Sequence, residues 1–151
     1  MKTLLIILSL VSSLFAQRVE ISADKLEADE KSGISTLIGH VQIIKGDDHI
    51  SADTLIVKFD KKNKPIFYDA KGSIKFHILT KTKEFEGKAD QLRYDPKTLI
   101  YEMVGNVVIK EKRSKQILTG EKIQIDRISG KSIIEGKENK PVKFIFDIKE
   151  N

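Results

Sequence analysis

Cysteine and tryptophan are both absent from this chain, proline occurs three times, and only 7% of the residues are aromatic. Without cysteine there can be no disulfide, no thiolate metal site and no lipid-bearing cysteine after export. Without tryptophan the chain lacks the large aromatic platform that a sugar-binding surface favours. His40, His49 and His77 show no metal-ligand spacing, so neither a metal nor another cofactor is expected. A Gly-x-Ser-x-Gly elbow, a phosphate-cradling glycine loop and an acid-rich calcium loop are all missing, which argues against an enzyme. Beyond the first sixteen residues no segment keeps a helical period, and the three prolines fall in turns.

What the chain does have is a repeat. A small residue, an acid, any residue and an aliphatic recur as Ala23-Asp24-Lys25-Leu26, Ala52-Asp53-Thr54-Leu55, Ala89-Asp90-Gln91-Leu92 and Gly120-Glu121-Lys122-Ile123. Gly39, Gly72, Gly105 and Gly136 keep step with it, 33, 33 and 31 residues apart. The unit is about thirty residues, two strands and their turns. An acid that occurs once in every unit has a repeated structural duty, whereas catalysis needs a unique pair. Accepting backbone N–H bonds is the simplest such duty.

The parity of the apolar positions flips at each acid. Val19, Ile21 and Ala23 give way to Leu26 and Ala28; Ile50 and Ala52 to Leu55, Val57 and Phe59; Phe85 and Ala89 to Leu92 and Tyr94; Leu118 and Gly120 to Ile123 and Ile125. Strand side chains alternate faces, so a one-residue slip predicts a bulge or corner there. The glycines keep the parity of their apolar neighbours, as in Leu37, Gly39, Val41 and Ile43, which predicts glycines on the inner face of a curved sheet with room inside.

Residues 1–16 read as a cleavable signal peptide, with Lys2, the run Leu4 to Leu8, and Ala16 at the cut. Leu4 to Ala16 is 13 residues, whereas a spanning helix needs about 20. Residues 17–151 remain as one exported domain, and its net charge falls from +5 to +4 with the loss of Lys2. Lysines dominate the polar strand positions and turns, where they protect edges and favour solubility. Export argues against nucleic acid as their partner; a phosphorylated lipid or a membrane surface comes first.

These features predict an all-β fold, an antiparallel jellyroll or solenoid-like sandwich of about four two-strand repeats with two open ends. The segments from Arg18 to Ala23 and from Val142 to Ile148 are its predicted edge strands.

The residues Ile38-Gly39-His40-Val41-Gln42-Ile43, Ile50-Ser51-Ala52-Asp53, Phe85 to Tyr94, Val104-Gly105-Asn106-Val107 and Leu118 to Ile123 give the chain a resemblance to the OstA-like family of periplasmic lipopolysaccharide transport proteins. The resemblance covers nearly all of the exported domain. It implies a β-jellyroll in the periplasm that shelters the lipid A acyl chains of lipopolysaccharide on the way from the inner to the outer membrane. It also implies an LptC-like inner-membrane partner, an LptD-like outer-membrane partner, and copies of the chain stacked end to end. On that reading the lipid-lining residues are Val19, Ile21, Val41, Ile43, Val57, Phe59, Phe76, Ile78, Phe85, Tyr94, Tyr101, Val107 and Ile109. The stacking edges carry Arg18, Val19 and Ile21 at one end and Val142, Phe144, Phe146 and Ile148 at the other. Two alternatives stay open: a membrane-anchored LptC-like adaptor of the same fold, and, more distantly, an exported carbohydrate-binding β-solenoid.

Overall fold

A computed structural model describes residues 18–149; the expected signal peptide lies outside them. The chain forms ten strands in one antiparallel sheet: β1 (Val19–Ser22), β2 (Lys25–Asp29), β3 (Ile34–Lys45), β4 (Asp48–Phe59), β5 (Pro65–Leu79), β6 (Glu84–Asp95), β7 (Ile100–Glu111), β8 (Gln116–Asp126), β9 (Ser132–Glu135) and β10 (Lys143–Ile145). Each long strand pairs with the next in sequence. β1 and β2 together lie along β3, and β9 and β10 together lie along β8. Turn residues close the hairpins as their chemistry dictates. Asp29, Asp60, Asp95 and Asp126 each accept an amide hydrogen bond two residues on, the pattern by which aspartate starts a turn.

The predicted bends exist, and they are built differently from the expectation. Between Ile38 and Val41 of β3 lie Gly39 and His40, while Asp53 alone separates the matching Ala52 and Thr54 of β4. The extra residue therefore belongs to the glycine strand. Gly39 and His40, Gly72 and Ser73, and Gly105 and Asn106 all have positive φ, a left-handed pair that kinks the strand and twists it. A Cβ on Gly39 would fall against the Asp24 side chain, and glycines 72 and 105 stand in the same relation to Asp53 and Asp90. The glycines thus admit a neighbouring aspartate. They do not open space inside the sheet.

The acids also differ from expectation in what they bind. Asp24 Oδ2 lies 2.7 Å from His40 Nδ1, and Asn106 Nδ2 donates to Asp90 Oδ2 at 2.9 Å. Their partners are the side chains that follow the glycines, not backbone N–H groups. The fourth unit departs further: Gly136 lacks a positive φ and lies past the end of β9, and Glu121 pairs with Lys137 at 3.5 Å.

Each bend splits the sheet into two walls. The first holds β1, Val41–Lys45, Asp48–Ala52, the ends of β5 and β7, the starts of β6 and β8, and β10. The second holds β2, the remaining halves of the long strands, and β9. One sheet face cannot bury itself, so the burial of Val41 to 0% exposure, and of Leu55, Ile74, Val107 and Ile123 nearly as far, comes from one wall folding over the other.

The last expected strand is shorter than its alternation suggests. Only Lys143–Ile145 pair, against Thr119 to Ile117 of β8, and Val142, Phe146 and Ile148 lie outside any strand. By register Phe146 would stand opposite Gln116, the first residue of β8, so from Asp147 on there is no strand left to pair with. Likewise Arg18 lies just outside β1.

Candidate functional site

The inward faces of the two walls carry apolar side chains in rows that cross the whole sheet. On the first wall Ile21, Ile43, Ile50, Phe76, Gly87, Ile109, Leu118 and Phe144 stand opposite one another in succession, from β1 through to β10. On the second wall Leu26, Leu37, Leu55, Ala70, Leu92, Met103, Ile123 and Ile134 do the same from β2 to β9. Period-two alternation with fixed register makes such rows unavoidable once every strand presents the same face.

Burial grades with distance from the bend. Next to it Val41, Ala52, Ile74, Ala89 and Val107 are buried; one row out, Ile21, Ile43, Ile50, Ile109 and Leu118 are half-buried while Phe76 stays buried, and beyond them Ile78 and Phe85 are half-buried beside the buried Glu111. On the second wall Ser35 and Val57 are buried, and Tyr68, Tyr94, Tyr101 and Ile125 in the same row are half-buried. The space between the walls is therefore a wedge, packed shut at the bend and open at the free ends, most of all along β5 to β8.

The expected lining residues divide accordingly. Val41, Phe76 and Val107 are buried near the bend, and Val57 and Phe59 are buried farther out, where β3 and β4 cover the end of the wedge. Val19, Ile21, Ile43, Ile78, Phe85, Tyr94, Tyr101 and Ile109 are half-buried and reach solvent. Ile50, Tyr68, Leu118 and Ile125 share their setting and are not among the lining residues read from the sequence; cross-strand register with Ile43, Tyr94, Ile109 and Tyr101 is the signal that finds them. Phe76 closes a gap in its own row. Opposite it, Gly87 has no side chain, and a Cβ there would come within 2.8 Å of Phe76 Cε1 and 2.5 Å of the Val108 carbonyl oxygen.

The mouth of the second wall is a tyrosine ladder. Ring centroids are 5.9 Å apart between Tyr68 and Tyr94 and 4.3 Å between Tyr94 and Tyr101, the latter pair stacked. Burial, then the neighbouring tyrosines, pushes the Tyr68 hydroxyl up to about 12, and burial raises Tyr101 in the same way. The rings thus meet the cleft as neutral, largely apolar surfaces. At the rim of the first wall, Glu111 faces inward but is consumed by structure. It accepts from the Ser114 hydroxyl at 2.5 Å, the Ser114 amide at 2.6 Å and the Glu84 amide at 2.9 Å, which hold its carboxyl down to about 2.

The expected edge residues fall at opposite ends of the sheet, β1 at one end and β10 at the other. Phe144 and Phe146 are tilted together with centroids 5.2 Å apart, and Ile148 is 77% exposed. Such an apolar cluster on a free strand edge needs a partner or invites one. Among the described residues no three His, Asp or Glu side chains are placed to hold a metal. The arrangement presents rows of apolar side chains across the sheet and a free strand edge at each end.

A family model described as LptA/(LptD N-terminal domain) LPS transport protein matches residues 20–131. Among solved structures, the chain is similar to the crystal structure of LptH, described as the LptA homologous periplasmic component of the conserved lipopolysaccharide transport device from Pseudomonas aeruginosa. The TM-score is 0.72 at 15% identity, covering 87% of this chain and 96% of that one. At that identity the likeness speaks for the jellyroll fold. No curated protein matches the chain in sequence.

Proposed function

The chain belongs to the LptA and LptD N-terminal domain family of lipopolysaccharide transport proteins, and from that membership and the wedge we propose that it shelters the acyl chains of lipid A between its two walls. The observation that carries this reading is the apolar row running unbroken in register from β1 to β10. An acyl chain moving along it leaves one apolar side chain only to meet the next.

The energetics favour such a path over free diffusion. Each buried CH₂ is worth about 0.8 kcal/mol, so a lipid with several chains does not cross an aqueous gap unaided. A groove whose residues are chemically alike at every strand offers no deep minimum, and the lipid can move without a chemical step. The half-buried residues, Ile21, Ile43, Ile78, Phe85, Tyr94, Tyr101 and Ile109, receive the chains first. The buried residues behind them open only as far as a chain pushes the walls apart.

The same reading uses the two ends. In the periplasm, after removal of residues 1–16, copies stack with β1 of one against β10 of the next, so that their apolar rows join. LptC-like and LptD-like jellyrolls take the same positions at the two membranes, because an edge strand accepts any partner that offers the matching edge.

A charge placed in the mouth tests the proposal. Ile109→Glu, which puts a carboxylate into the row while sparing the closed core, is expected to weaken lipopolysaccharide binding at least tenfold, since a desolvated unpaired charge costs more than about 1.4 kcal/mol. Unchanged binding by a variant whose melting curve is intact would count against acyl chains in this cleft.

A further inference from the structure

The outward faces of the two walls treat their charges in opposite ways. On the second wall Arg93, Lys122 and Lys71 have carboxylate partners. Arg93 meets Glu102 at 3.0 Å, Lys122 meets the same Glu102 at 3.8 Å, and Lys71 meets Asp69 at 3.9 Å. Lys58, opposite Ile34 and Phe67, is the cation of that face with no carboxylate within 4 Å among the described residues.

On the first wall the register sets lysine against lysine. Lys75 of β5 and Lys88 of β6 are direct cross-strand neighbours, and their other neighbours are Ser51 and Val108. Lys110 stands opposite Glu86, but Glu86 accepts from Lys112 at 3.1 Å. Among the described residues, no carboxylate lies within 4 Å of Lys75, Lys88 or Lys110. Like charges placed directly opposite destabilise a sheet, and this pair has no neighbouring carboxylate to offset the repulsion.

The three lysines also share a cleft. With His49, Ser51, His77 and a single carboxylate, Glu86, they border a shallow outward cavity of about 530 Å³. Apolar side chains lie on the same outward face. Ile44, between His49 and Glu20 in register, is 41% exposed; Leu79, opposite Glu84, is exposed, and Val108, opposite Lys88, is half-exposed. A cationic centre with exposed aliphatic groups around it is the composition of a surface that meets lipid headgroups with its charges and the acyl boundary with its rim.

We propose that the outward face of the first wall docks on an anionic membrane surface, with Lys75, Lys88 and Lys110 receiving headgroup phosphates and Ile44 and Leu79 entering the interface beside them. This face is on the far side of the sheet from the acyl-chain cleft and does not depend on it. Docking there would hold the chain flat against a bilayer with the mouth of its wedge free.

The test is sedimentation of the exported chain with lipopolysaccharide-free vesicles at low salt. Phosphatidylcholine vesicles containing phosphatidylglycerol should carry the protein down, and phosphatidylcholine alone should not. The double variant Lys75→Gln, Lys88→Gln should partition roughly 30-fold less, about fivefold for each lysine. It should melt no lower than the parent, because a like-charge pair has been removed, and its lipopolysaccharide binding should be unchanged. Equal sedimentation of parent and variant would overturn the proposal. So would release of the parent from anionic vesicles by inorganic phosphate but not by chloride of matched ionic strength, which would make the cleft a site for free phosphate.

Discussion

Gly72 shows how much a single position can hold. Its φ of 83° costs a side-chain-bearing residue about 1–2 kcal/mol, and a Cβ there would stand 2.8 Å from the Cβ of Asp53. Gly72→Ala is therefore expected to lower the unfolding free energy in urea by more than about 2 kcal/mol. Gly46→Ala is the comparison, since φ is 59° but nothing lies within 4 Å; it should cost about 1 kcal/mol. Equal losses would mean that the aspartate contact carries no weight in the bend.

Glu111 gives the residue scale its pH dependence. The Ser114 hydroxyl, then the Glu84 and Ser114 amides, favour the ionised carboxylate and depress its pKa from 4.5 to about 2. A group whose pKa is lower in the folded state contributes stability that is complete above its unfolded value and is lost as pH falls toward the folded one. Glu111→Gln should lower the melting temperature at neutral pH, and the variant should lose less on acidification through the range between about 4 and 2. Parallel melting profiles for variant and parent across that range would contradict the assignment.

At the scale of elements, β10 is the informative strand. It is three residues long and exposed throughout, so the sheet from β1 to β9 does not lean on it for burial. Ending the chain at Pro141 should leave thermal stability nearly unchanged and abolish concentration-dependent self-association in analytical ultracentrifugation. Retained association would move the stacking edge elsewhere. This scale also shows what can be read from sequence. The parity flips at Asp24, Asp53 and Asp90 marked the bends correctly, because alternation reports which face a side chain takes. They did not tell which strand carries the extra residue, since a left-handed pair such as Gly39-His40 keeps the parity of Leu37, Val41 and Ile43 while lengthening the path between them. The alternation from Val142 to Ile148 was legible as a strand, but its length was fixed by where β8 begins, a property of a different segment. Among the lining residues, the inward face of Phe76 and Ile109 could be read directly. That one is buried and the other reaches solvent depends on local packing over Gly87 and on depth in the wedge, which no single strand records.

For the whole molecule, bending one sheet at the same place in strand after strand does two things at once. It buries the rows nearest the bend, which supplies the core, and it leaves the outer rows as the walls of an open wedge. The core and the proposed lipid path are thus adjacent zones of the same faces. The measurement that bears most directly on the central claim is photo-crosslinking of lipopolysaccharide to the folded exported chain from single positions: Phe85 and Ile109 inward on the first wall, Tyr101 and Ile125 inward on the second, and Glu102 and Gln124 outward. Lipid captured from all four inward positions and from neither outward one is the predicted result. Absence of capture from the inward positions, or equal capture from Tyr101 and its neighbour Glu102, would contradict an acyl-chain path between the walls.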